Sequence, residues 1–334
     1  MKSITKVALT IGIAAAAGIT YACCCVAERA VLFGDQTNII VWDAANKVEH
    51  FMRVANFETD AKDFSFIAPS PSIPDIGESD SEAASVLARL TPRTKTPTEY
   101  AGETASPAAD SKGGVDVIQV VTAAGFEITT LKSDDSAALA KYLKDNNFKT
   151  SPGIEKWIKH YTDKKWFLNA FKFVASKGET KTKMARMSFK TDAPFNPYYV
   201  PSENQKGVGS QELFFIADKN AAGKVGDDSV EYPQSDWTNF VGGSAERLNG
   251  LLKLPNHKIS PSSVVTHFYA DFPSRATDDV FFKDDEFQYV GWRFEEYRAR
   301  ETQKSVMTPI IWAASGLAFF GIIYFFWKRA KAGV

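Results

Sequence analysis

The chain has 334 residues, of which 39 are basic and 40 acidic, so its formal net charge is −1. A general nucleic-acid-binding protein carries an excess of basic residues, and this balance excludes that class. The only cysteines are Cys23, Cys24 and Cys25, so no internal disulfide framework supports the fold. The length allows one large domain or two smaller ones.

Residues 1–22 have the features of a secretory signal peptide. Lys2 and Lys6 precede an uncharged stretch, residues 7–21, that is short for a bilayer span. Small residues before Cys23 favour ordinary cleavage between Ala22 and Cys23. Lipidation of Cys23 and an uncleaved anchor are the alternatives.

The three adjacent cysteines have several interpretations. Neighbouring side chains point in different directions, and a tetrahedral zinc site would need a fourth ligand, so a zinc site is disfavoured. An odd number of cysteines in an oxidising compartment suits an intermolecular disulfide. Lipidation of Cys23 would add a membrane anchor. A spacer of small residues after the cleavage site is the remaining interpretation for Cys23, Cys24 and Cys25.

The first half of the body predicts strands, one helix and a loop. Alternating apolar residues predict a β-meander over residues 28–58, with a turn at 44–46. Ser79 or Asp80 caps a predicted helix that runs through Leu90. Residues 91–114 contain one aromatic residue and no large aliphatic residue, so we predict a disordered loop. This loop either separates subdomains 26–90 and 115–305 or decorates a single domain.

The second half predicts a hairpin around residues 123–125, followed by two helices. Ser133 or Asp134 caps the first helix. In the second, apolar residues recur at helical spacing: Ile154, Trp157, Ile158 and Tyr161. The segments KWFLNAFKFVA and KMARMSFKT predict a hairpin of paired strands, and further strands with one helix near 244–252 follow. The predicted fold class of residues 23–305 is therefore α+β, an antiparallel-rich sheet with a few short helices.

The C-terminal region predicts a transmembrane helix. Residues 306–327 carry no charge and would reach roughly 33 Å as a helix, enough to cross a bilayer. Lys328, Arg329 and Lys331 follow directly, so the positive-inside rule places residues 328–334 in the cytoplasm. The preceding body, residues 23–305, is then an exported ectodomain of a single-pass membrane protein.

The order of these segments resembles a bacterial family of exported, membrane-anchored proteins, domain-of-unknown-function family 2330. Its most specific block corresponds to residues 131–148, LKSDDSAALAKYLKDNNF. A second block corresponds to Phe189, Asp192, Pro194 and Pro197. The chain departs from the family pattern in its contiguous cysteines and in Asn147, which stands where glycine is usual. The resemblance implies the fold and topology, and it implies no activity.

Each candidate functional residue can be explained by an ordinary structural role. Asp278 and Asp279 lack the alternating oxygen spacing of a calcium loop, so a turn with solvated carboxylates is expected. His160 is expected at the boundary between the buried and exposed faces of its helix. His267 is expected at a half-buried position of a strand. Phe195, Tyr198 and Tyr199 lie among prolines in an expected exposed turn, which would suit a partner surface. A loop folded onto its own core is the alternative.

The sequence therefore predicts no catalytic residues, no metal ligands and no cofactor. The first functional hypothesis is a membrane-tethered, exported, non-enzymatic domain that binds a protein or other envelope partner, with no nucleic acid involved. An envelope hydrolase that uses carboxylates is the alternative, and a subunit of a membrane complex is a third. Two converging acids with perturbed pKa values in a cleft would favour the enzyme, whereas an aromatic patch around 194–200 would favour the binding protein.

Overall fold

The computed structural model describes residues 25–27, 32–33, 36–54, 57–58, 64–92, 114–148, 153–174, 183–199, 206–226, 235, 237–274, 278–286, 288 and 291–292. The predicted signal peptide with Cys23 and Cys24, most of the 91–114 loop, the 306–327 span and the 328–334 tail lie outside these residues. Among the described residues, no helix has the length and apolar character that crossing a bilayer requires.

Eighteen strands and four α-helices form the described fold. The helices are α1 (Glu82–Leu90), α2 (Ser136–Asp145), α3 (Ile154–Asp163) and α4 (Ala245–Leu252). The strands are β1 (Cys25–Ala27), β2 (Leu32–Phe33), β3 (Gln36–Asp43), β4 (Val48–Val54), β5 (Phe57–Glu58), β6 (Phe64–Ser70), β7 (Asp75–Asp80), β8 (Asp116–Ala123), β9 (Phe126–Lys132), β10 (Phe167–Phe173), β11 (Lys183–Lys190), β12 (Phe195–Asn196), β13 (Lys206–Ala217), β14 (Ala221–Val225), β15 (Trp237–Phe240), β16 (Val264–Ser274), β17 (Val280–Asp284) and β18 (Gly291–Trp292).

Two large sheets dominate the architecture. Sheet I has the order β1-β6-β10-β9-β8, and sheet II has the order β18-β15-β16-β13-β3-β4-β11-β7. A small sheet III, β12-β17-β14, and the pair β2-β5 complete the described strands. All described pairings are antiparallel except that of β13 with β3. The predicted antiparallel-rich α+β class is confirmed for this part of the chain.

The packing gives four layers in the order helices, sheet I, sheet II, helices. One core cluster joins the facing surfaces of the two sheets, with Phe66 and Phe126 from sheet I against Phe51 and Leu213 from sheet II. Helices α2 and α3 cover the outer face of sheet I. Helices α1 and α4 cover the outer face of sheet II. Because both faces of sheet II are covered, its central strands are apolar at consecutive positions, and neighbours such as Ile39 and Ile40 are both buried.

Local sequence signals explain the boundaries of these elements. Ala124 and Gly125 have positive φ angles of 51° and 80°, which a two-residue hairpin turn of type I′ requires. The N-cap of α2 is Asp135, not Ser133 or Asp134, because the Asp135 carboxylate accepts hydrogen bonds from the amides of Ala137 and Ala138. After α2, Asn147 has a φ of 61°, the left-handed conformation that asparagine tolerates at a helix end.

One predicted pairing is wrong. The strands β10 and β11 do not form a hairpin with each other: β10 lies between β6 and β9 in sheet I, whereas β11 lies between β4 and β7 in sheet II. The local pattern specified two strands but not their partners, since the intersheet core accepts apolar residues from either sheet. Both sheets contain strands from residues 26–90 and from residues 115–305, so the two stretches share their sheets.

Candidate functional site

The loop after β11 is buried, which corrects the expected exposed turn. Phe195 is fully buried, with its ring centroid 4.7 Å from that of Trp166, and Tyr198 and Tyr199 are also buried. The reason is that Phe195 begins β12, which pairs with β17 and carries the loop onto the intersheet core. The alternative of a loop folded onto its own core is the correct one.

Asp279 lies beneath this loop and holds it. Its Oδ1 accepts hydrogen bonds from the amide of Tyr198 at 2.9 Å, the amide of Tyr199 at 3.1 Å and the Tyr161 hydroxyl at 2.9 Å. The side chain is completely buried, and its Oδ2 has no hydrogen-bond partner. Burial raises the pKa of Asp279, although the amides of Tyr198 and Tyr199 oppose the shift. The expectation of a solvated carboxylate in a turn is therefore wrong for this residue.

Glu49 of β4 is a second buried carboxyl group near Asp279. Its Oε2 accepts from the amide of Phe195 at 2.8 Å, while its Oε1 has no partner. Burial raises the pKa of Glu49 well above its ordinary value, the Phe195 amide opposes this, and the charge of Asp279 raises it further. Leaving a buried polar atom unpaired costs on the order of 1–3 kcal/mol. The two unpaired oxygens therefore mark this region as unlike an ordinary core.

Sequence reasoning missed Glu49 entirely. It lies opposite Trp42 in the β3–β4 pairing. Because it is two positions from Phe51 in the same strand, it lies on the same face as Phe51, which packs against sheet I. A charged residue two positions from Phe51, on the same face of β4, was the available signal. That signal does not reveal the partner, because Phe195 is 146 residues away in the chain.

Asp278, His160 and Lys164 form the half-buried outer part of the same site. His160 Nε2 lies 3.0 Å from Asp278 Oδ1 and 2.9 Å from Lys164 Nζ, and Lys164 Nζ lies 3.1 Å from Asp278 Oδ1. The side chains of Asp278, His160 and Lys164 are 30 %, 20 % and 29 % exposed. Asp278 is thus no freely solvated carboxylate, whereas the boundary position expected for His160 is confirmed.

The charge state of this outer part follows from its contacts. Burial would raise the pKa of Asp278, but hydrogen bonds from His160, the Asp279 amide and Lys164 outweigh it and hold the pKa well below its usual range. A neutral His160 with its hydrogen on Nδ1 can accept from Lys164, whereas hydrogen on Nε2 lets the ring donate to Asp278. Asp278 is therefore a carboxylate anion beside an ammonium group.

One group among the described residues has side chains placed as metal ligands would be: His160, Asp278 and Asp279. One ligand atom from each lies within 4.8 Å of the other two. Two acids that follow in the same segment, Asp284 and Glu286, are exposed, and Asp284 pairs with Lys219.

Of the remaining histidines, His50 and His267 lie in sheet II and His257 lies in the loop between α4 and β16. His50 Nδ1 is 2.8 Å from the Ser188 hydroxyl, and its ring centroid is 5.6 Å from that of His257. His267 is fully buried, not half-buried as expected, with Nε2 3.2 Å from Glu212 Oε1. Cys25 lies in β1, where its backbone pairs with that of Phe66 in β6.

A narrow pocket opens between the two large sheets. Its free internal volume is about 20 Å³, which is room for about one water molecule. Its walls are apolar and its charged residues are Arg53 and Lys183. The Arg53 guanidinium lies 5.5 Å from the centroid of the Phe66 ring, and Lys183 pairs with Glu78 at 2.9 Å. The wall residues are Phe51, Phe66, Ala68, Phe126, Phe171, Met184, Ala185 and Met187.

Comparison with solved structures gives only distant likenesses. Baculovirus P35 has a TM-score of 0.38 and 6 % identity, over 77 % of this chain and 98 % of that chain. The caspase-8/P35 complex has a TM-score of 0.36 and 6 % identity, over 78 % of this chain and 96 % of that chain. A mutated baculovirus P35 after caspase cleavage has a TM-score of 0.36 and 10 % identity, over 78 % of this chain and 100 % of that chain. At these values the likeness carries no argument.

Comparison by sequence identifies the family. No curated protein matches the chain significantly. The family model described as "uncharacterized protein conserved in bacteria (DUF2330)" matches residues 15–280, which is most of the chain. The resemblance of residues 131–148 and 189–197 is thereby confirmed. This chain belongs to the bacterial DUF2330 family.

Proposed function

We propose that this protein is a membrane-tethered, exported binding domain of the bacterial cell envelope. Its ligand is a small amphipathic anion whose apolar end is held at the mouth of the pocket between sheets I and II. The pocket is the observation that carries the proposal, because it combines apolar walls with two cationic side chains. Binding sites for small molecules typically have this composition.

The chemistry of the pocket suits one apolar chain with an anionic end. The walls of the narrow pocket carry four phenylalanine rings, so the apolar end of a ligand has to widen the pocket to pack against them, and each methylene buried there contributes about 0.8 kcal/mol. Arg53 lies in the pocket wall, and a guanidinium there can donate hydrogen bonds to the anionic end of a ligand. Lys183 adds a second, exposed positive charge at the same pocket.

The membrane topology is the second part of the proposal. Residues 1–22 direct export, residues 23–305 form the ectodomain and residues 306–327 anchor it, with residues 328–334 in the cytoplasm. The charge pattern of the sequence supports this orientation. Alkaline phosphatase fused after residue 305 should be active, and the same fusion after residue 334 should be inactive. Equal activity of the two fusions would contradict the orientation.

The buried acids favour binding over hydrolysis. Glu49 and Asp279 have raised pKa values, as a catalytic pair would, but both are completely buried. A general acid or base has to reach within hydrogen-bond distance of its substrate. One oxygen of each acid, Glu49 Oε2 and Asp279 Oδ1, accepts from amides of the loop, so these acids hold the loop and we do not propose an envelope hydrolase.

Ligand binding is tested with the full-length protein in mild detergent. The probes are a fluorescent single-chain fatty acid and its uncharged methyl ester. Removing the charge in Arg53→Gln should weaken fatty-acid binding about tenfold and change ester binding little. Ala185→Leu narrows the pocket and should weaken both probes. Arg89→Gln, on the exposed face of α1, is the matched control and should change neither.

Two outcomes would overturn the ligand assignment: no saturable binding of the fatty acid, or equal affinities in the wild type, Arg53→Gln and Ala185→Leu. Native mass spectrometry of the protein from its own membrane adds an independent readout. A small added mass supports the binding domain. A second polypeptide supports the membrane-complex alternative instead.

A further inference from the structure

We propose that His160, Asp278 and Asp279 form a binding site for a divalent first-row transition metal, with Mn²⁺ as the probe of choice. Lys164 places its ammonium group in this site when no metal is bound. The site lies between the end of α3 and the start of β17, and it is independent of the pocket between the sheets. The inference therefore goes beyond the proposed function.

The first support is the spacing of the ligand atoms. His160 Nε2 and Asp278 Oδ1 are 3.0 Å apart. Two neighbouring ligands about 2.1 Å from one ion are about 3.0 Å apart in octahedral geometry and about 3.4 Å apart in tetrahedral geometry, so this pair already has the separation that a metal such as Mn²⁺ requires. An oxygen of Asp279 lies within 4.8 Å of both, so the three residues form a candidate set of ligands.

The second support is an unpaired buried oxygen. Asp279 is completely buried, and its Oδ2 has no hydrogen-bond partner. Buried polar atoms in folded proteins are almost always paired, and an exception calls for a specific explanation such as a bound ion. The partners of Asp279 all bind Oδ1, so Oδ2 is the oxygen left for a metal.

The surroundings hold the ligands as metal sites require. The Tyr161 hydroxyl and the amides of Tyr198 and Tyr199 fix the Asp279 carboxylate through Oδ1. The His160 ring lies 4.5 Å from the Tyr199 ring and 4.9 Å from the Tyr161 ring, measured between centroids. Neighbours that orient ligands in this way commonly change metal affinity about 10- to 100-fold.

The donor atoms select the class of metal. Calcium and magnesium prefer oxygen ligands alone, whereas an imidazole with two carboxylates suits manganese, iron or zinc. Mn²⁺ is the better probe, because thiolates bind zinc strongly and Cys23, Cys24 and Cys25 could compete for it.

Lys164 provides the distinguishing test. Its ammonium contacts His160 Nε2 at 2.9 Å and Asp278 Oδ1 at 3.1 Å, so it contacts two of the three ligands. A metal ion has to displace this positive charge. If the cluster were only an ion-pair network, removing Lys164 would weaken it and create no affinity for metal.

The experiment is titration of the full-length, untagged, chelator-treated protein with MnCl₂, followed by calorimetry and by electron paramagnetic resonance of bound Mn²⁺. We expect one Mn²⁺ per chain. Asp278→Asn and His160→Gln should each weaken binding at least about tenfold, because each removes a ligand. Lys164→Gln should strengthen binding at least about tenfold, because it removes the competing charge. Asp284→Asn, an exposed acid paired with Lys219, is the control and should bind as the wild type does.

The inference is overturned if neither the wild type nor Lys164→Gln binds Mn²⁺ at millimolar concentration. Unchanged affinity in both folded ligand variants would also overturn it. Circular dichroism checks that each variant is folded. Should a ligand variant unfold, the affinity of Lys164→Gln decides, since that variant keeps all three ligands.

Discussion

His50 should make the stability of the fold depend strongly on pH. The residue is completely buried in sheet II, and its Nε2 has no hydrogen-bond partner. Its pKa is lowered from 6.5 to about 4. Burial is the largest cause, and the nearby charges of His257 and Arg186 lower it further, whereas Asp43 and Asp75 oppose the shift.

The sign and size of the effect follow from linkage. Between pH 6.5 and about 4 the unfolded chain binds a proton at this histidine and the folded chain does not. The stabilisation is therefore fully present above pH 6.5 and is lost as the pH falls to about 4. Since one pKa unit corresponds to about 1.4 kcal/mol, the loss amounts to about 3 kcal/mol.

The assay is urea unfolding of the full-length protein in mild detergent, followed by tryptophan fluorescence from pH 8 to pH 4. The variant is His50→Asn, because an asparagine amide can take the place of Nδ1 near the Ser188 hydroxyl. The free energy of unfolding of the wild type should fall about 3 kcal/mol more than that of His50→Asn between pH 6.5 and 4. Parallel curves for the two proteins would refute the reasoning.

Three further substitutions have expected outcomes, each measured as the free energy of unfolding. Asp135→Ala removes the cap of α2 and should cost about 1 kcal/mol, whereas the exposed Asp134→Ala should have little effect; equal losses would contradict the cap assignment. Trp157→Ala empties a fully buried site and should cost about 3–5 kcal/mol, so a loss below 1 kcal/mol would argue against the packing of α3 on sheet I. Tyr161→Phe removes one donor to Asp279 and should cost about 1–3 kcal/mol, and no change would mean that this hydrogen bond is not formed in solution.

The helices and turns were predictable because their signals are local. The apolar positions of α3, from Ile154 to Tyr161, follow the helical period and are all buried. The hairpin turn at Ala124 and Gly125 requires positive φ angles at both residues, and glycine adopts such an angle without steric cost. In such elements the interacting residues are separated by only a few positions, so propensity and periodicity contain the necessary information.

The candidate site was not predictable in the same way. The sequence predicts a solvated turn at Asp278 and Asp279, because no residue near them in the chain indicates that His160 or the loop amides will contact them. A buried carboxylate is tolerated only where donors converge on it, and here the donors come from α3 and from the loop after β12. Burial of the carboxylates is therefore a property of the assembled fold.

The sequence by itself determined the class of fold, most helices, one hairpin and the family. The tertiary structure alone decided that β10 and β11 belong to different sheets, that Phe195 is buried, and that Glu49 approaches Asp279. The physical reason is the range of the interactions. Hydrogen bonds within a helix or turn join near neighbours in the chain, whereas strand partners and buried charges are chosen by contacts between distant segments.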